Sequence, residues 1–315
     1  MNSSYLIGKV VNHFQIHGLR RNCLFGNFFC LNKKPDNPKE VIFYFPNYQF
    51  MHLGDHLFFE PLIRYLKESG LNVSVKPIKS MEFYFKKNGY KIAKDSDLNK
   101  ADLVISKVEL ISELTFFADK SVILIETAYN NISTPLCNDM IEKLSKILNL
   151  ELKNFDAQPK FLVDLESDLD INFVNGEKYM LFNNYIDSGF FRVREKHQII
   201  LMEFAKKIKK DFGFKIIHTG SNEDLKKDKR NYPFVDIDIR GKSSIESIFY
   251  LANLDSVKGN ISFDAFQMHL FFMVRKKSYI LFRGRFLKKN EKFIKEFVNP
   301  PFKIDIDHCD LIEYL

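Results

Sequence analysis

Gly54-Asp55-His56, with Pro61 shortly after it, puts a carboxylate beside two imidazoles, His52 and His56, where an apolar strand gives way to an amphipathic helix. A carboxylate on such a loop can take the proton from an attacking hydroxyl, provided it lies within hydrogen-bond reach. Asp is also a favoured residue for capping a helix amino end, so Asp55 reads as a cap as well. The spacing of four between His52 and His56 would present two metal ligands on a helix, but Gly54 interrupts it and no third ligand is near. The two histidines are therefore read as orienting Asp55 or meeting an acceptor, and no metal or other cofactor is expected.

A second group of residues suits anion binding. His218-Thr219-Gly220-Ser221-Asn222-Glu223 closes a strand and opens a helix. There Thr219, Gly220 and Ser221 can offer hydroxyls and amides to a phosphate, and Glu223 can accept from a ribose, or the segment is an ordinary cap. Gly241-Lys242-Ser243 opens another helix, with Ser243 and Glu246 at capping-box spacing and Lys242 where a cation needs an anion for company. Asp264 and His269 stand five positions apart at a later strand-to-helix turn, and Arg283-Gly284-Arg285 follows the next strand. Arginine binds phosphate through paired hydrogen bonds, so Arg283 joins the candidates, while His269 also reads as a core residue of an apolar helix.

These groups need a scaffold that gathers loops at one edge. Short apolar runs alternate with amphipathic stretches of ten or more residues, the pattern of strand-helix units in a parallel sheet. The first series predicts strands over 41–45, 72–75, 103–105 and 122–125, with helices over 58–69, 81–88 and 137–148. A second series, after the polar stretch 166–176, predicts strands over 179–182, 215–218, 235–237, 256–258 and 278–282. Helices are expected there over 195–212, 222–230, 244–252 and 266–274. Residues 1–40 are the least readable part.

At 315 residues the chain is longer than one core usually supports, so two α/β domains are expected, 1–165 and 166–315, with ligands in the cleft between them. No apolar run is long enough to span a membrane, no signal-peptide cleavage pattern is present, and Cys23, Cys30, Cys137 and Cys309 are scattered without zinc or disulfide spacing. A cytoplasmic protein with free thiols fits best. The net charge of +7 favours an anionic partner, yet no helix-turn-helix or RNP-like motif accompanies it, so nucleic acid is not expected.

In this order the motifs resemble glycosyltransferase family 9, the heptosyltransferase-like enzymes that build bacterial surface glycans. Gly54, Asp55 and Pro61 match a Gly-Asp, five residues, Pro motif of its first domain. Thr219-Gly220-Ser221 with Glu223, then Gly241-Lys242-Ser243, Asp264 to His269, and Leu281-Phe282-Arg283-Gly284 resemble motifs of the second. The resemblance covers residues 41 to 290 and implies a GT-B fold of two Rossmann-like domains and metal-independent inversion at the transferred sugar. It makes Asp55 the general base, puts an acceptor glycan or glycolipid on the first domain, and has Asp264 and His269 line the site of a nucleotide-diphosphate sugar on the second. Peripheral contact with the anionic inner membrane is a further expectation. Where the family has Thr-Gly this chain has Ala265-Phe266, so the diphosphate is expected to sit differently, helped by Arg283 or Arg285. The other readings are an inactive sugar-nucleotide-binding protein and an epimerase or hydrolase of the same architecture.

Overall fold

The structure, a computed structural model, describes residues 23–25, 28–32, 35–45, 52–108, 120–126, 135–151, 154–162, 164–185, 193–281 and 309–311. The chain divides into two compact units, Met1–Pro159 and Lys160–Leu315. Arg283 and Arg285 lie outside the described residues.

The first unit runs β1 (Cys23–Phe25), β2 (Phe28–Leu31), β3 (Glu40–Tyr44), α1 (Leu53–Glu68), β4 (Asn72–Lys76), α2 (Glu82–Lys87), β5 (Lys91–Ile92), α3 (Asp95–Leu98), β6 (Leu103–Lys107), β7 (Ser121–Ile125) and α4 (Leu136–Leu148). Its sheet has the order β1-β2-β7-β6-β3-β4-β5. The five strands β7 to β5 are parallel, and β2 joins β7 antiparallel with β1 beyond it. β6 and β7 are buried at every position, which is why they read as nearly continuous apolar runs instead of alternating ones. α4 lays Met140, Ile141, Leu144 and Leu148 inward and stops at Asn149, whose left-handed backbone ends the helix. The β1–β2 hairpin falls in the segment whose pattern was unreadable.

α1 is the exception to amphipathic patterning. Every residue from Gly54 to Leu66 is buried, Glu60 and Arg64 included. Two buried charges need close partners to offset desolvation. Arg64 Nε donates to Glu60 Oε1 at 3.1 Å, the Tyr90 hydroxyl donates to the same oxygen at 2.5 Å, and the Arg64 guanidinium also donates to the carbonyls of Asp156 and Gln158 at 3.0 and 2.6 Å. Burial and the Glu60 charge push the Tyr90 phenol well above its ordinary range. Leu57, Leu62, Ile63 and Leu66 are fully buried, each contributing roughly 1.5–3 kcal/mol. The helix is thus held on all sides.

Helix α1 begins at Leu53, five residues before the predicted start at 58, so Asp55 lies in its first turn and not on a loop before it. Gly54, read as a turn residue, stands in that first turn. Pro61 consequently sits in the helix interior instead of near its start.

The second unit contains β8 (Tyr179–Phe182), α5 (Glu195–Phe212), β9 (Lys215–His218), α6 (Asn222–Lys227), β10 (Ile237–Asp238), α7 (Ile245–Asn253), β11 (Val257–Phe263), α8 (Phe266–Met273), β12 (Lys277–Leu281) and β13 (Cys309–Leu311). The sheet order is β10-β9-β8-β11-β12-β13, parallel throughout. β8, α5 and β9 fall on their predicted limits. α5 ends at Gly213, which takes the left-handed conformation and donates to Lys209 O. β11 is longer than expected because Gly259 and Asn260 continue the strand. At Gly259 a Cβ would lie 2.3 Å from Lys277 O, so only glycine allows β12 to approach this closely.

Candidate active site

Strand order decides where a parallel sheet can hold a ligand. In the first unit the chain builds outward from β3 to β4 and β5 on one side, then crosses to β6 and β7 on the other. The carboxyl ends of β3 and β6 therefore flank the point where the order reverses, the usual ligand position in open α/β sheets. Asp55 enters this edge on α1, directly after β3, and Lys107 ends β6. The Ser106 hydroxyl donates to Tyr44 O at 2.6 Å and pins the two strand ends together.

Asp55 Oδ2 accepts two hydrogen bonds, from the His52 backbone amide at 2.9 Å and from Lys107 Nζ at 3.0 Å. Both side chains of the ion pair are more than nine-tenths buried. The other carboxylate oxygen, Oδ1, has no hydrogen-bond partner among the described residues. Asp55 thus takes part in a helix cap, as the backbone acceptor in the first turn, and still keeps one oxygen for another proton. The position suits a negative charge, since the amino end of α1 carries partial positive charge.

The two histidines separate. His52 is the N-cap residue and half-buried. His56 is fully buried: Nδ1 lies 3.2 Å from His52 O, Nε2 accepts from the Ile78 amide at 3.4 Å, and the ring stacks on Phe45 at 4.3 Å. Those contacts place the proton on Nδ1. Burial holds the imidazole neutral, lowering its pKa to about 4. Read as orienting Asp55 or meeting an acceptor, His56 spends both ring nitrogens on backbone groups, because its side of the first turn of α1 faces the core.

In the second unit the order reverses between β8 and β11. Thr219, just past β9, donates its hydroxyl to Gln267 Oε1 at 2.9 Å and approaches Phe182 O at 3.2 Å. Asn183, just past β8, donates through Nδ2 to Thr219 O at 3.3 Å. Gln267 is in the first turn of α8, whose N-cap position holds Ala265, a residue with no side-chain acceptor. Gln267 Nε2 is buried without a hydrogen-bond partner among the described residues. His269 lies a half-turn further on and is buried. Asp264 is half-exposed at the end of β11.

The two Gly-containing loops also meet: the Gly241 amide donates to Gly220 O at 2.9 Å. Gly241 has φ 70°, and a Cβ there would sit 2.5 Å from Asn222 Oδ1. Lys242 is exposed beside them. Other candidates have local duties. Ser221 caps α6 by accepting from the Asp224 amide at 3.1 Å, and exposed Glu223 pairs with Lys226 at 2.7 Å. The cap of α7 is Ser244, one residue beyond the expected Ser243; its hydroxyl accepts from the Ser247 amide at 3.1 Å. The turn through Gly241 and Lys242 consumes one residue more than the capping-box spacing assumed.

Behind this edge His218 donates through Nε2 to Asn184 Oδ1 at 3.0 Å, and Asn184 donates to Asp228 and the Tyr232 hydroxyl at 3.3 and 3.0 Å. Burial, then the neighbouring Arg240 guanidinium, lowers the His218 pKa to about 3. This network supports the loop from below.

Two residues with prominent positions escaped the sequence reading, Lys107 and Gln267. The signal for Lys107 was an apolar strand, Leu103 to Ser106, closing on a single cation. Gln267 lay inside the Asp264-to-His269 motif, overlooked between its ends. Among the described residues no group of three or more His, Cys, Asp or Glu gathers in metal-binding range, and no helix is long and apolar enough to cross a membrane.

No family model matches the sequence, and no curated protein sequence matches it. Solved structures do match. A glycosyltransferase family 9 protein from Veillonella parvula is similar over 89% of this chain and 88% of its own, with 13% identity and a TM-score of 0.55. The heptosyltransferase WaaC of E. coli, solved with ADP-2-deoxy-2-fluoro heptose, is similar over 76% and 88%, with 13% identity and a TM-score of 0.47. The first likeness spans both units and establishes the fold expected from the motifs: the chain is an α/β protein of GT-B type with two Rossmann-like sheets.

Proposed function

We propose that the chain is an inverting glycosyltransferase that moves a sugar from a nucleotide-diphosphate donor to a hydroxyl of a bacterial surface glycan or glycolipid. The observation that carries this reading is Asp55: a buried carboxylate at the reversal point of the first sheet, anchored through one oxygen, with no partner on the other among the described residues. The GT-B fold and the ordered motifs support it.

In this reading Asp55 Oδ1 accepts the proton of the acceptor hydroxyl as that oxygen bonds to the anomeric carbon. The bond from the anomeric carbon to the phosphate oxygen breaks on the opposite face, and its electron pair leaves with the nucleotide diphosphate. The donor belongs to the second unit, with Thr219, Gly220, Lys242, Asp264 and His269 near it and Gln267 added. The amino end of α8 and basic side chains, Lys242 among those described, would stabilise the leaving diphosphate without a metal. Arg283 keeps its proposed place on the strength of the motif alone. Ala265 and Phe266 remove a hydroxyl and a glycine from that end, so the donor is proposed to differ from the one the family motif fits. Of the acceptor candidates, half-buried His52 is retained and His56 is not. Cytoplasmic location with peripheral membrane contact belongs to the same proposal.

The test is a panel of ADP-, UDP-, GDP- and dTDP-sugars, each assayed for thermal stabilisation and for nucleotide diphosphate release with and without lipooligosaccharide acceptors. Acceptor-dependent release is expected for one nucleotide class. Stabilisation without release would favour an inactive binder, and release or epimerised donor without acceptor would favour a hydrolase or epimerase.

A further inference from the structure

We infer that Lys107 is the positioning residue of the proposed base, an inference that rests on the base reading of Asp55. Its place follows from topology. Lys107 closes β6, and Asp55 enters on the helix after β3, the neighbouring strand across the reversal point, so residues 52 positions apart meet at the edge where an open α/β sheet usually holds its ligand.

The carboxylate has one rotatable bond beyond Cβ, and its orientation decides which oxygen meets the acceptor. Two donors fix it: the His52 amide, from the helix amino end, and Lys107 Nζ, from the strand end, both on Oδ2. The amide alone would leave the carboxylate plane free to twist about that bond. With the ammonium also on Oδ2, the carboxylate is held in one orientation and Oδ1 is the oxygen left to take the proton. A cation there also compensates a carboxylate that burial would otherwise disfavour. Lys107 takes no proton and touches no reacting atom in this arrangement; it acts through Asp55.

This separates Lys107 from a residue that merely fills space. Turnover should fall while donor binding, in the other unit, does not change. Arginine should restore part of the loss by supplying a cation to the same oxygen, and the loss should vanish when Asp55 is already neutral.

The experiment compares wild type, Lys107→Met, Lys107→Arg, Asp55→Asn and the double variant Asp55→Asn/Lys107→Met, using the nucleotide sugar that gives fastest release in the donor panel. Lys107→Met should lower kcat about 10²-fold, the scale expected for a misplaced catalytic group, with donor affinity unchanged. Lys107→Arg should recover about tenfold of that loss, and the double variant should turn over within about threefold of Asp55→Asn. A substrate-free arm measures melting temperature. Lys107→Met leaves a buried charge alone and should melt on the order of 10 °C below the double variant, which leaves none.

Wild-type turnover in Lys107→Met beside a crippled Asp55→Asn would overturn the positioning role and leave the base intact. A double variant at least about tenfold slower than Asp55→Asn would also overturn it, since Lys107 would then act independently. Equal melting of Lys107→Met and the double variant would show that the pair is not coupled. Full activity in Asp55→Asn would remove the base reading itself. If Lys107→Met fails to fold, the comparison of Asp55→Asn with the double variant still decides.

Discussion

The two sheets reverse their strand order in the same way, yet the edges they offer are chemically opposite. At the first, an anion and a cation meet in a buried pair, Asp55 and Lys107. At the second, the groups that meet are neutral: the Asn183 amide, the Thr219 hydroxyl and the Gln267 amide. A parallel sheet gathers loops at its carboxyl edge whatever they carry, so one or two residues per edge decide the chemistry. A fixed carboxylate suits proton removal, whereas amides and hydroxyls beside a helix amino end suit holding an anion.

The contrast can be broken from either side. The largest effect is expected from Gly259→Ala, which forces a methyl against the Lys277 carbonyl between β11 and β12. It should cost more than about 3 kcal/mol in the second unit. Denaturation followed by probes in each unit should show the first unit unaffected; loss of both together would mean that the edges are not independently supported.

Acidification should strain both edges through their buried histidines. His56 has a pKa of about 4 when folded against an ordinary value of 6.5. The unfolded chain therefore binds a proton before the folded one does. The stability from neutral His56 is fully present above about pH 6.5 and is lost as pH falls, amounting to about 3 kcal/mol by pH 4. His218, lowered to about 3, acts in the same direction in the second unit. Melting temperature should fall between pH 6.5 and 4, and His56→Gln should flatten the first unit's part of that slope. A melting temperature that rises on acidification would contradict the burial of both rings.

A smaller change is expected from Thr219→Val. It removes the donor to Gln267 and leaves a buried amide oxygen short of a hydrogen bond, at a cost of roughly 1–3 kcal/mol. Chemical denaturation of the second unit measures it directly. An unchanged midpoint would mean that Gln267 finds another donor at once.

How much of this was legible depended on whether the cause was local. β8, α5 and β9 were readable to the residue because period and punctuation agree there: an apolar run, a long amphipathic stretch, and Gly213 to end it. The start of α1 was not readable, since a glycine at the second helical position looks like a turn and burial all round erases the helical stripe. β11 was cut short for a similar reason, because Gly259 weakens a strand pattern although the sheet requires it. Asp55 was legible as a candidate from its neighbours. Its partner was not, because the pairing of Asp55 with Lys107 is made by the crossover from β3 to β6, and nothing near Lys107 in sequence points back across that distance. The burial of His56 was not legible either, because its proximity to Asp55 in sequence gives no sign that its ring turns into the core.

The central claim is that the free oxygen of Asp55 takes the acceptor's proton, and it is tested most directly by Asp55→Asn assayed for acceptor-dependent nucleotide diphosphate release, with donor affinity measured by calorimetry on the same preparation. The amide keeps the size of the side chain but cannot accept the proton, so kcat should fall about 10²- to 10⁴-fold. Donor affinity should stay within about twofold of wild type. Near-normal turnover in a folded Asp55→Asn protein would contradict the account.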